Sequence, residues 1–304
     1  MAERYNTLNN YYKSIFGKKT VRLSVDGGFT CPNRDGKISE SGCIFCSEKG
    51  SGDFAGSRCV SITKQLESQM ILLNKKWPDA LYIAYFQAFT NTYAPIEKLR
   101  SVYYEALENE SISGISIATR PDCLDDDCIE LLKEISEKKY LSVELGLQTS
   151  NSDSARLINR GYDNEVFEQA VKKLSALNVD IVVHVIIGLP YETEEDVINT
   201  IKYINRFPVK GVKLHLLHVI KNTPLAQMYY SSYFSVLSLE DYTDIVVNAI
   251  SHLRKDIVVF RLTGDGPRDL LIAPLWSRDK KKVLNTINHK LRVRNITQGQ
   301  SLQK

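Results

Sequence analysis

What most constrains this chain of 304 residues is a recurrence. Short apolar runs of strand character return at Val21–Val25, Leu81–Phe86, Gly114–Ala118, Leu141–Leu147, Asp180–Ile187, Val212–Val219 and Ile257–Leu262. Stretches of helical period fill the gaps. In Glu165–Leu177, Val166, Phe167, Ala170, Val171, Leu174 and Leu177 share one face, with Glu168, Lys172 and Lys173 opposite. Thr193-Glu-Glu-Asp196 and Ser238-Leu-Glu-Asp241 read as helix starts, capping boxes with Asp in the Glu position. The central strands are spaced by roughly 30 residues, the length of one strand–helix unit. Strands alternating with helices form a parallel sheet, open or curled into a barrel, so the fold class is α/β. No Ser/Gly-rich linker divides the chain, which predicts one body over residues 1–277. Residues 278–304 read as a polar, basic C-terminal segment, frayed over Gln298–Lys304.

Composition supports a packed core: 43% hydrophobic and 25% charged residues exclude disorder, collagen and coiled coil. The best apolar stretch, Ile181–Pro190, carries His184 and falls short of the roughly 18 residues of a membrane span. The start, Met1–Tyr5, lacks a charged-then-apolar leader, so a cytoplasmic protein with no membrane partner is expected. Six cysteines in that setting point to metal, redox or buried thiols rather than a disulfide framework.

Strand parity shows which side faces inward. Leu141, Val143, Leu145 and Leu147 alternate with Ser142, Glu144, Gly146 and Gln148, so the second set should face a cavity and the first the helices. The same parity directs Ser116, Ala118 and Arg120 inward from one strand, and Lys213 with His215 from another. An open, polar, ligand-binding interior follows.

Cys31, Cys43 and Cys46 stand as C-x11-C-x2-C in a turn-rich loop after the first strand. Such a loop can wrap three thiolates around one metal centre. On spacing alone an iron–sulfur cluster and a zinc site with Cys59 as fourth ligand are equal readings. A 4Fe–4S cluster on three cysteines leaves one iron free for a substrate or cofactor. Phe45, just before the third cysteine, is placed to pack beside an adenine.

At this point the sequence resembles the radical S-adenosylmethionine (SAM) superfamily, in its elongator-like branch, and there the small-protein family of the YtqA and YhcC type. The resemblance is carried by Asp26-Gly-Gly-Phe-Thr-Cys-Pro-Asn33, Gly50-Ser-Gly-Asp-Phe-Ala-Gly56, Tyr85-Phe-Gln-Ala-Phe-Thr-Asn-Thr92, Thr119-Arg-Pro-Asp122, Val143-Glu-Leu-Gly-Leu-Gln148, Ile187-Gly-Leu-Pro190 and Gly264-Asp265, in that order. It implies a partial (β/α)6 barrel of parallel strands with N- and C-terminal extensions and a cluster loop over about residues 26–56, with the reactive centre at the C-terminal mouth. It also implies that Cys31, Cys43 and Cys46 hold three irons of a 4Fe–4S cluster, with SAM chelating the fourth. An electron donor such as a flavodoxin or ferredoxin then drives cleavage of SAM to a 5′-deoxyadenosyl radical.

By the same resemblance, the turn containing Gln87 and Thr90 occupies the position that receives the methionine amino group, although the family's glycines are replaced here. Gln148 matches a ribose-binding position, and Arg160 an arginine pairing with the SAM carboxylate, where a guanidinium fork fits. Glu144 reads as a ribose contact or as an orienter of Gln148 or Arg120. Ala118 stands where elongator-type sequences carry Glu. Gly188 matches a turn that packs on adenine.

The catalytic candidates are Lys213, His215 and Asp265; His184 and His218 read as core histidines, and Cys59, Cys123 and Cys128 as buried or surface thiols. Gly50–Gly56 lacks the Gly-Lys-Ser/Thr ending of a phosphate loop and reads as a barrel-mouth loop. Arg278, Lys280, Lys281, Lys282, Lys290, Arg292 and Arg294 face one acid, Asp279, a run able to meet RNA phosphates or simply be solvated. The elongator-like relatives act at C5 of wobble uridine in tRNA, and the chain is read as having no room for their acetyltransferase half. Remodelling of an existing uridine side chain is the expectation. The same radical chemistry on a small metabolite, and a zinc-stabilised RNA-binding module without turnover, stand beside it.

Overall fold

The computed structural model describes residues 3–50 and 55–303. In chain order the elements are α1 (Leu8–Phe16), β1 (Thr20–Val25), α2 (Ile62–Asn74), β2 (Leu81–Phe86), α3 (Ile96–Leu107), β3 (Ile112–Thr119), α4 (Asp126–Ser136), β4 (Tyr140–Gln148), α5 (Ser152–Leu157) and α6 (Asn164–Ser175). There follow β5 (Asp180–Ile187), α7 (Glu194–Ile204), β6 (Gly211–Leu216), β7 (Val219–Ile220), α8 (Pro224–Tyr230), α9 (Leu239–His252), β8 (Val258–Arg261), β9 (Leu271–Ala273) and α10 (Lys280–Val293). The main sheet runs β1-β2-β3-β4-β5-β6-β8, every pairing parallel. This is the expected partial barrel with a seventh strand, β8, added beyond β6.

Helix starts follow local chemistry. Thr193 and Asp196 complete the reciprocal capping box ahead of α7. Before α9 only half of it forms: Ser238 accepts from the Asp241 amide, while the Asp241 carboxylate takes the Ser238 hydroxyl. Outward-facing residues of the strands, among them Leu23, Ile115, Val143, Leu145 and Val183, bury against the helices in one core.

The sheet must be strongly curved, because side chains meet across it. Arg22 on β1 reaches Glu144 on β4, and Lys213 on β6 donates to the Tyr85 hydroxyl on β2 at 3.1 Å. Near the gap between β1 and β8 lies α1, whose N-cap Thr7 bridges to Val259. Its buried Tyr12 packs edge-on against Tyr140 and Phe260, which closes the floor with aromatic rings.

The C-terminal segment differs from the expected basic tail. Residues 280–293 form a helix whose Val283, Ile287 and Leu291, spaced by four, are fully buried. Lys290 is buried and paired with Glu240 and Asp244 of α9. Gln298, expected to fray, is buried and bonds the Arg254 and Ile257 carbonyls. Among the described residues no helix is long and apolar enough to cross a membrane. Truncating Ile287 to Ala should therefore cost about 2–5 kcal/mol, as for any core aliphatic. A denaturant titration reads this, and an unchanged midpoint would return the segment to the status of a tail.

Candidate active site at the barrel mouth

One cavity of about 530 Å³ fills the lumen and opens at the strand C-termini. Its walls include the three cysteines, Phe45, Gln87, Thr90, Glu144, Gln148, Arg160, Lys213, His215 and Asp265. Of the expected site residues Gly188 alone does not line it. Its φ of +92° suits glycine, and a Cβ there would meet the Leu237 side chain at 3.1 Å. Parallel register explains the convergence: Ala118 lies beside Glu144, Gly146 beside His184, and His184 beside Lys213, so equal parity sends them all inward.

The floor is a buried ionic cluster centred on Glu144. One carboxylate oxygen takes Arg22 and the Ser116 hydroxyl, the latter at 3.0 Å. The other takes Lys213 and, at 2.7 Å, His184. Arg22 also lies 3.8 Å over the Tyr85 ring. Burial alone would raise the Glu144 carboxyl, but Arg22 and Lys213 hold it well below the usual carboxylate range. Burial and the neighbouring Arg22 depress the Lys213 ammonium, and burial with Lys213 lowers His184 to about 4. Glu144 thus does not orient Gln148 or Arg120, nor has it an oxygen free for a ribose; both are committed to the floor. His184 and His218, expected in the core, line the cavity instead. Arg22 and Tyr85 were missed as site residues, although inward parity on β1 and β2 identifies both.

Arg160 also departs from expectation. Its five N–H groups are all used: Nη1 on the Leu147 and Thr149 carbonyls, Nε and Nη2 on Tyr162, Nη2 also on Asn164. No donor is left for a SAM carboxylate, and the side chain instead ties the end of β4 to the turn ahead of α6. Asp265 is likewise engaged, by Lys280 at 2.5 Å and Arg261 at 3.8 Å.

The cluster loop is braced by residues of its own motif. Arg34 donates to the Cys46 and Ser47 carbonyls, at 2.7 and 2.8 Å. Buried Asn33 bonds the Asn159 carbonyl at 2.6 Å and points an N–H at the Cys43 sulfur, 3.6 Å away. Burial, with Cys46 adjacent, pushes the Cys43 thiol up to about 12. Residues 51–54 of the Gly50–Gly56 segment lie outside the described residues. After β2, Ala88 and Phe89 take φ values of 83° and 60°, the left-handed backbone a glycine turn would adopt. Among the described residues Thr90 Oγ1, buried in this wall, has no hydrogen-bond partner.

The fold and the site define a class: a parallel half-barrel whose C-terminal mouth carries three thiols on one loop, with one side of them open to a polar cavity. The chain belongs to the radical SAM superfamily; the superfamily model matches residues 31–204 and the Radical_SAM C-terminal domain matches residues 209–293. YtqA of Bacillus subtilis (strain 168) is 44% identical over 302 residues, 99% of this chain and 94% of that protein. The tRNA-2-methylthio-N(6)-dimethylallyladenosine synthase of Clostridium botulinum (strain Okra / Type B1) is 28% identical over 144 residues, 45% of this chain and 32% of its own. The archaeal Methanocaldococcus infernus Elp3 superposes with a TM-score of 0.67 at 17% identity, over 92% of this chain and 64% of that one, a likeness of fold.

Membership implies a 4Fe–4S cluster, SAM and an external electron donor. The residues fit. Three soft sulfur donors on one loop line one cavity, the donor type that holds iron–sulfur clusters. Cys59, the fourth ligand of the zinc reading, is exposed and outside the cavity lining, while Cys123 is half-buried and Cys128 buried.

Cys31→Ala, Cys43→Ala and Cys46→Ala should each abolish iron and sulfide binding after anaerobic reconstitution, whereas Cys59→Ala retains both. Metal analysis decides it, and loss in the Cys59 variant would favour a four-cysteine site. Glu144→Gln strands Arg22 and Lys213 in the lumen and should destabilise by about 3–5 kcal/mol. The sign with pH follows from the depressed carboxyl. Its stabilisation is complete above the unfolded value of about 4.3 and drains as pH falls through the folded one. Acid unfolding midpoints should therefore differ less between the two proteins than those at neutral pH.

Proposed function

We propose that this radical SAM enzyme remodels a substituent already present at C5 of a wobble uridine in tRNA. The observation that carries the reading is convergence: the elongator-like segments around Cys31, Gln87, Arg120, Gln148 and Asp265 all contribute to one cavity wall. The relative named for a reaction on tRNA, at an adenosine, supports the RNA substrate and not the choice of base.

When bound, the cluster and SAM supply one-electron cleavage of the sulfonium and a carbon radical able to abstract hydrogen. The chain's own residues do the rest. Cys31, Cys43 and Cys46 hold the cluster at the mouth. Thr90 Oγ1 and the Gln87–Asn91 turn offer polar groups to the methionine end, while Gln148 offers its amide and Phe45 its ring to the nucleoside end. The Glu144 floor keeps the lumen from collapsing, and Lys213, His184 and His215 present titratable groups to whatever enters.

RNA would approach over α10. Of its basic residues, Lys281, Lys282 and Arg292 are exposed, whereas Lys280, Lys290 and Arg294 are held by carboxylates. Lys281 and Arg292, eleven residues apart, share a face across three turns.

Two measurements test this. Wobble-uridine nucleosides in tRNA should differ between cells with and without the gene. An unchanged profile, where no redundant pathway exists, would favour the small-metabolite reading. Purified protein should bind tRNA with an affinity falling steeply in salt. Replacing Lys281, Lys282 and Arg292 by Ala should reduce the log–log slope by about two to three, one per phosphate contact, and leave RNA-independent SAM cleavage intact.

A further inference from the structure

His215 and His218 present an unexplained chemistry at the β6–β8 side of the cavity. Both rings line the lumen. The Nε2 atom of each is buried without a partner, and neither ring makes a hydrogen bond among the described residues. Such groups are uncommon in folded proteins and ask for a reason. Burial holds both imidazoles neutral, lowering His218 to about 4 and His215 well below its ordinary value. A neutral imidazole can donate from one nitrogen and accept at the other.

The two rings meet at Gly264. A Cβ there would lie 3.1 Å from His218 Cε1 and 3.7 Å from His215 Nδ1. Gly266 is as tight on the other edge of His218, 3.3 Å from Cγ and Cδ2. The two glycines therefore let the backbone pack closely on the His218 ring. Leu217, Ile220 and Pro267 complete this end with apolar surface. Apolar neighbours and two neutral imidazoles, each with an Nε2 left without a partner, suit a heterocycle that carries both a donor and an acceptor.

We infer that His215 and His218 form the base-reading subsite, holding the imide edge of a flipped-out uracil between the Gly264 turn and the lumen. This rests on the wobble-uridine reading above. A uracil offers an N3–H flanked by two carbonyls, which one neutral histidine can accept from and the other donate to. Enzymes that act on a base take it from the stack and read this same edge. The wobble position, in a single-stranded loop, is cheap to extract.

The test uses tRNA from cells lacking the gene, bound to the full-length protein and probed with a water-soluble carbodiimide, which reacts at unpaired uridine N3. Wild-type protein should lower the reactivity of the wobble uridine by about tenfold or more. His215→Phe and His218→Phe, which keep a flat ring but lose its nitrogens, should bind the tRNA within about threefold of wild type and restore the reactivity. His218→Asn, which keeps one donor and one acceptor, should recover part of the protection and guards against a folding defect. Bound tRNA without wild-type protection, or protection surviving both Phe variants, overturns the assignment. A wild-type protein that binds no tRNA removes the wobble-uridine reading itself, a result distinct from either.

Discussion

The structure depends on one carboxylate shared by four strands. Glu144 on β4 accepts from Arg22 on β1, Ser116 on β3, Lys213 on β6 and His184 on β5. Those partners can meet only if the sheet curls, so the network records the curvature and holds it. Stability is not the evident reason for it. Buried ion clusters are often matched or bettered by apolar side chains of similar volume. An apolar plug, however, would fill the lumen, whereas charges that need one another across an open space keep it open. In that low-dielectric setting the Arg22–Glu144 pair acts on a bound ligand more strongly than it would in water.

A second constraint sits above that floor. The turn after β2 keeps a glycine-like backbone without glycine, at Ala88 and Phe89. Residues in that region cost on the order of 1–3 kcal/mol each and persist only where neighbours impose them. The neighbours are visible. The Phe89 amide bonds the Gly50 carbonyl at 2.9 Å, and a Cβ at Gly50 would fall 2.5 Å from the Phe89 ring. Arg34 and Arg58 lie 5.9 and 5.2 Å from the same ring. The ring anchors the turn to the cluster loop, and a side chain at Gly50 would collide with it.

Much of this was legible from the residues. Strand runs and the inward parity of Glu144, Gly146, Lys213 and His215 came from alternation, because an unshifted register in a parallel sheet preserves parity; at Gln148 the register shifts, yet the residue still lines the cavity. The same rule applied to Val21–Val25 reveals Arg22, since Leu23 and Val25 belong to the core. The spacing of Val283, Ile287 and Leu291 likewise marked a helix that the surrounding charge obscured. Arg160 was not legible. Its donors go to backbone carbonyls placed by a turn in which Gln148 and Asn159 have positive φ, and no side-chain pattern encodes where those carbonyls point. The histidines misled for a related reason. Apolar neighbours on β6 and β5 suggest core, but a strand beside a cavity has apolar neighbours on its other face.

The C-terminal helix is tied to the mouth by a residue of its first turn. Lys280, at its first turn, grips Asp265 on the rim, and Lys290, near its end, is buried against α9. Just before it, Trp276 donates to the Leu237 carbonyl at 3.1 Å, and Leu237 packs on Gly188 where β5 ends. The helix is therefore pinned at both ends and through the turn that precedes it. A ligand bound on its outer face meets a surface already fixed relative to the lumen, with little ordering cost left to meet on binding. Those contacts are what distinguish this helix from a solvated basic tail of the same composition.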